Sequence, residues 1–389
     1  MFGGAAAAAA DETSAVWTRM YQRADSLQQK RQVMMNIIEQ DNRDLTPVLR
    51  DALADQLSAL RETQDTTEKQ RQRELMKMIV AELGELKARD TAELVWEVVQ
   101  AAEDAVLRGE AVKALGKMNA RQYGEQMAMM LRNLNFGDAQ QNLREREILA
   151  YHLVRTLKRL QEPEAFSPLF FASQGWYSGR SQVKQEAREA LKVVVDDPTE
   201  QLRSIVRNNT DYTLKLAALQ AEANSDAPAA GKAQVAAAAL DEGLSLNPEN
   251  VQERQQLKNL RMEALRVMRD KPFPEEHELL ENMQAMVNGY RTDRIYDMDE
   301  MLTLLETMGT YAREDVAKLL NNFLLYLTER RNSGLQMSLR LAKQTIQSLA
   351  STQQEIAQEG LTTVTISDEW EGSVQREAEA ALERLRSNG

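Results

Sequence analysis

Three segments of the chain repeat one spacing of small and apolar residues. Residues 107–118 read LRGEAVKALGKM, residues 183–194 read VKQEAREALKVV, and residues 374–385 read VQREAEAALERL. Aligned on Ala111, Ala187 and Ala378, each places alanine or an aliphatic side chain at offsets −4, 0, +3, +4 and +7. Those offsets share one face of a helix but fall on both faces of a strand, so all three segments are predicted to be helical. Alanine at two of the five positions lets the backbone of a neighbouring helix come close.

Weaker copies of the stripe centre on Met34, Ile79, Ala150, Ala218, Ala264, Leu302 and Ala342. From residue 34 to residue 378 the nine steps average about 38 residues, a period found in stacked helix-pair repeats. A single amphipathic pair cannot cover its own apolar face, so neighbouring pairs must complete the core. Each copy leaves room for a preceding helix. Candidates for these first helices lie at 45–62, 90–102, 121–136 and 274–290. The only strand-like alternation, TTVTI at 362–366, is short and reads as a loop.

Two of the three strong copies also share a motif: an aliphatic residue, a basic one, then Ala-x-x-Ala-Leu. Leu107-Arg108 precedes Ala111, Ala114 and Leu115, and Val183-Lys184 precedes Ala187, Ala190 and Leu191. Leu260-Arg261 with Ala264 follows in part, while Gln375 replaces the basic residue in the last copy. Pro47 sits early in the first of these candidate helices, and Pro168 lies in the segment FSPLF. This pattern resembles the HEAT-repeat family. The resemblance implies an all-α, right-handed, armadillo-like α-solenoid of about ten helix hairpins, with second helices lining a concave face that binds protein partners.

Residues 221–233, AEANSDAPAAGKA, are small and polar and are interrupted by Pro228 and Gly231. They read either as a hinge or as a long inter-repeat loop. The hinge reading divides the chain into a disordered tail at 1–14, a first half at 15–225 and a second at 226–389. Residues 236–250 also look like the end of a tetratricopeptide repeat, although the segment before them lacks the large residues of a first helix.

Several kinds of chemistry have no support in the sequence. The chain has no cysteine, which excludes disulfides, thiolate zinc sites and cysteine nucleophiles. HELLE at 277–281 has Glu281 where a zinc-protease helix needs its second histidine. DMDE at 297–300 lacks the glycine and final glutamate of a calcium loop. No phosphate-cradling glycine loop and no nucleophile elbow occurs. The expectation is a non-enzymatic protein with no cofactor and no metal. No apolar run is long enough for a membrane span. The opening MFGGAAAAAADETSA reads either as the remnant of a secretory signal or as a flexible terminus, leaving cytoplasm and bacterial periplasm both open.

At about 100° per residue, offsets +2, +5, +6 and +9 from each stripe centre point away from the core. They pick out Lys113 and Lys117, then His152, Arg155 and Arg159, then Lys192 with Arg188 at the edge, and later Arg266 and Arg269. In the last two repeats the same offsets give Gln344, Gln347 and Glu383, with Glu379 at the edge. A basic stripe is therefore expected on a chain whose formal net charge is −12. It suits an acidic or phosphorylated protein segment, unless the bases pair with acids on adjacent helices. A second candidate surface holds Phe170, Trp176 and Tyr177, within FSPLFFASQGWYSG at 166–179, the alternative being inter-repeat core. The expected role is a scaffold or adaptor that binds another protein, or a structural part of a larger assembly. The alternative is a polyanion or nucleic-acid binder using the basic stripe, although the chain's charge repels polyanions at long range. Partner identity and oligomeric state are left open.

Overall fold

The computed structural model describes residues 3–137, 142–245, 247–273, 275, 277–292 and 297–388. Among the described residues there are twenty α-helices and no strand. They alternate as first and second helices of ten hairpins and fall into two compact units, Met1–Asp196 and Asp197–Gly389.

The first unit holds five pairs: α1 (Gly3–Gln22) with α2 (Leu27–Ile38), α3 (Thr46–Glu62) with α4 (Thr66–Glu85), α5 (Ala92–Ala101) with α6 (Ala105–Met118), α7 (Gly124–Phe136) with α8 (Leu143–Leu160), and α9 (Phe166–Gln174) with α10 (Val183–Val194). The second holds α11 (Thr199–Asn208) with α12 (Tyr212–Ala223), α13 (Ala229–Ser245) with α14 (Val251–Asp270), α15 (His277–Arg291) with α16 (Met298–Gly309), α17 (Glu314–Asn332) with α18 (Leu339–Ser351), and α19 (Ala357–Thr365) with α20 (Gly372–Asn388).

All ten stripe centres lie on the second helices, and all ten are buried. Each hairpin is built by local chemistry that recurs along the chain. Seven of the second helices start on short polar caps whose oxygens take up free N–H groups of the first turn: Ser26, Asp65, Asp104, Asp211, Asn250, Asp297 and Ser338. Several end just before a residue in the left-handed region, among them Asp41, Lys87, Asn119, Gln161 and Gln353, which turns the chain back toward the next first helix. In the first unit α4, α6 and α8 pack closely on one another, while the first helices stand further apart. A two-layer stack with one tighter layer bends toward it, so this unit curves toward its second helices. In the second unit the two layers are spaced more nearly alike.

Three expectations are corrected. The tail at 1–14 is helical from Gly3, as six consecutive alanines at 5–10 favour. TTVTI is not a loop but the end of α19, where Leu361 and Val364 are buried at helical spacing. The break between units comes after Asp196, not near 226. Residues 221–233 are instead tied within the second unit. Lys232 Nζ donates to the Ala223 and Ser225 carbonyls at 3.2 and 2.7 Å, and the buried Glu222 carboxyl meets the Thr199 hydroxyl at 2.8 Å.

Candidate functional site

The buried face of α8 carries Leu149, Ala150, Leu153, Val154, Leu157 and Leu160. His152, Arg155 and Arg159 are spaced three and four residues apart and therefore share another face, on the same side as Lys113 and Lys117 of α6. Two small residues let these helices approach. A Cβ on Gly109 would stand 2.5 Å from Cδ2 of the His152 ring, and one on Gly116 would stand 3.0 Å from Cγ2 of Thr156. The Thr156 hydroxyl, 3.1 Å from the Val112 carbonyl, donates to it and fastens α8 to α6.

Between α6, α8 and α10 lies a cleft of about 430 Å³. Its walls are Lys113 and Lys117 from α6, His152, Arg155, Thr156, Lys158 and Arg159 from α8, and Glu186 from α10. Three of its five cations are paired. Lys113 lies 3.0 Å from Glu110, Lys117 pairs with Glu85 on α4, and Lys158 lies 3.8 Å from Glu186. Exposed pairs of this kind contribute only about 0–1 kcal/mol, so an incoming anion can compete for these lysines. Hydrogen bonding from Lys117, helped by the charges of Lys117, Lys113 and Arg159, outweighs burial and holds the Glu85 carboxyl below its ordinary range.

The two arginines differ from the lysines. Arg155 donates to the Tyr151 hydroxyl at 3.1 Å, and its guanidinium sits 5.4 Å over that ring. Neither Arg155 nor Arg159 forms a salt bridge among the described residues. Both side chains are exposed. His152, expected on the outer face, is half-buried against Gly109 and edge-on to Tyr151 at 5.6 Å. Burial lowers its pKa first, Lys113 and Arg155 push the same way, and Glu110 opposes them. Its imidazole is therefore neutral near pH 7.

The other predicted residues lie elsewhere. Arg188 and Lys192 are exposed on α10 outside the cleft wall, and Lys192 lies 3.0 Å from Glu189 on its own helix. Arg266 and Arg269 belong to α14 in the second unit, at 3.7 Å from Glu263 and 2.8 Å from Glu306 respectively. The aromatic candidates are corrected. Phe170 and Tyr177 are buried and cannot face a partner. The Tyr177 hydroxyl donates to Asn135 Oδ1 at 2.8 Å, and Asn135 in turn donates to the Pro168 carbonyl at 2.8 Å. Half-buried Trp176 donates its indole N–H to the Leu134 carbonyl at 3.2 Å and carries Arg146 at 4.8 Å over its ring. This cluster joins α7 to α9 as core.

No protein-family model matches the chain, and no curated protein matches it. Among solved structures, human deoxyhypusine hydroxylase in complex with glycerol aligns over 99% of this chain and 100% of its own, at 12% identity and a TM-score of 0.29. A circular tandem repeat protein with novel repeat topology aligns over 98% of this chain and 97% of its own, at 14% identity and a TM-score of 0.22. Scores this low carry no argument about family or activity.

Among the described residues no group of three or more His, Cys, Asp or Glu side chains is arranged to hold a metal ion, and no helix is long and apolar enough to cross a membrane. The side chain of His277 lies outside the described residues. Sequence phase missed Lys158, Thr156 and Glu186 in the cleft wall. Thr156 has an outward offset, +6 from Ala150, yet is buried because α6 lies over it. Lys158 and Glu186 face the gap between α8 and α10, a direction fixed by the neighbour rather than by the helix's own core stripe. The surplus of basic residues in 155–159 was the one available signal.

Proposed function

We propose that this chain is a HEAT-like repeat scaffold that holds a partner protein by an acidic segment laid along the second helices of its first unit. The observation that carries this reading is the cleft itself. Five cations from two adjacent helices converge on one cleft of a chain with net charge −12. A local field opposite in sign to the whole molecule selects an acidic segment and speeds its encounter, while the remaining surface repels other anions. The reading assigns the chain no reaction. Its place is as an adaptor or a structural part of a larger assembly.

The test uses a fluorescent Asp/Glu-rich peptide and the full-length chain, with binding read by anisotropy at low salt. Reversing the charge of Lys113, Arg155 and Arg159 to Glu is expected to weaken binding by about tenfold or more, since each lost attraction becomes a repulsion. The double variant Arg266→Glu/Arg269→Glu, in the other unit, is expected to bind like the wild type. Equal loss in both variants, or none in either, would overturn the reading.

A further inference from the structure

The charges around the cleft do not balance. Lys113, Lys117, Arg155, Lys158 and Arg159 supply five positive charges, and Glu85, Glu110 and Glu186 supply three negative ones. The two positive charges left over sit on Arg155 and Arg159, the two cations of the wall without a carboxylate. They are one helical turn apart on the same face of α8, and both line the cleft. A single carboxylate would neutralise one of these charges. A phosphate monoester carries close to two negative charges at neutral pH and offers three terminal oxygens. Two planar forks and a flexible lysine suit a tetrahedral dianion better than they suit a planar monoanion.

The same wall disfavours nucleic acid. Single strands are held by aromatic platforms on which bases stack, and this wall has no Phe, Tyr or Trp. The nearby Tyr151 ring has its face covered by Arg155. The volume, about 430 Å³, suits a phosphorylated side chain with its stem.

We infer that the cleft seats one phosphorylated serine or threonine of the partner's acidic segment, its phosphoryl oxygens held by Arg155 and Arg159 with Lys113 and Lys117 alongside. This rests on the proposed scaffold reading and specifies what the scaffold recognises.

The experiment compares three acidic peptides that differ only at a central position: phosphoserine, Glu or Ser. Binding to the full-length chain is read by anisotropy, with circular dichroism melts to establish that each variant folds. The phosphoserine peptide is expected to bind about tenfold tighter than its Glu twin. The double variant Arg155→Lys/Arg159→Lys keeps both charges but removes the forks, and is expected to lose most of that preference while still binding the Glu peptide. Arg188→Gln, outside the cleft wall, is expected to keep the preference. A Glu peptide that binds as tightly as the phosphoserine peptide would overturn the inference and leave the acidic-segment reading standing. No binding by any of the three would remove both. A single-stranded oligonucleotide that outcompetes the phosphoserine peptide would also overturn the inference, in favour of nucleic acid.

Discussion

Glu222 shows how one position can depart from a repeat and gain a separate property. It stands at offset +4 from Ala218, where other copies carry Leu115, Leu191 and Leu382. Its position was therefore legible, but its environment was not. The carboxyl is fully buried where α12 meets Asp197 and Thr199 on one side and Gly231 and Lys232 on the other. Thr199 Oγ1 lies 2.6 Å from Asp197 Oδ1 and 2.8 Å from Glu222 Oε1, yet the hydroxyl has a single hydrogen. If that hydrogen goes to Asp197, the contact with Glu222 is satisfied when Glu222 is protonated and donates to the hydroxyl. Burial, the largest influence, raises the Glu222 pKa, and the Asp197 charge adds to the rise, while Lys232 opposes it. An acid whose folded pKa is raised contributes stability that is complete below its ordinary pKa and is lost as pH rises through the folded value. Glu222→Gln has no proton to lose. It is expected to melt higher than wild type at about pH 8, by the equivalent of about 1 kcal/mol or more, with the gap closing toward about pH 4. Melting curves that stay parallel across that range would show that Glu222 is charged in the folded chain.

At the scale of the helix, the basic residue three positions before the stripe centre turns out to be a cap in three repeats. Arg108 Nε donates to the Val99 carbonyl at 3.0 Å, Lys215 Nζ to the Val206 carbonyl at 2.6 Å, and an Arg261 terminal nitrogen to the Gly243 carbonyl at 2.8 Å. Each cation thus reaches back from a second helix to a carbonyl near the end of its own first helix, where free acceptors and the helix dipole favour positive charge. Sequence spacing showed that this position is basic, but its partner became visible only once the hairpin was folded. The seam between second helices depends on small residues in the same way. A Cβ on Gly84 of α4 would lie 2.9 Å from both Cα and Cβ of Ala114 on α6. Gly84→Ala would gain about 1 kcal/mol of helix propensity. It must also displace backbone that cannot rotate aside, and overpacking of this kind costs about 1–3 kcal/mol. The packing cost wins, so a lower denaturation midpoint with an unchanged slope is expected. A raised midpoint would mean that α4 and α6 are less closely packed than described.

Across the whole chain, the period of about 38 residues placed all ten second helices, because each repeat must bury the same face against its neighbours. Phase within one helix also found five of the cleft residues. It could not separate half-buried His152 from exposed Arg155, nor buried Phe170 and Tyr177 from a surface patch, because those differences are set by neighbouring helices. The division after Asp196 was equally hidden, since stripes centred on Ala187 and Ala218 run on either side of it. The same nearest-neighbour construction governs how damage spreads. Leu153 of α8 is fully buried, and Leu153→Ala should cost about 2–5 kcal/mol through lost burial and the cavity left behind. In a stack where each repeat is supported by its immediate neighbours, that loss falls first on α6, α8 and α10, the helices packed directly on one another. Hydrogen exchange read by mass spectrometry is therefore expected to speed up across residues 105–118, 143–160 and 183–194 while residues 314–388 keep their wild-type protection. A uniform loss of protection would instead show that the two units unfold as one cooperative body, and stability would then be a property of the full chain rather than of its repeats.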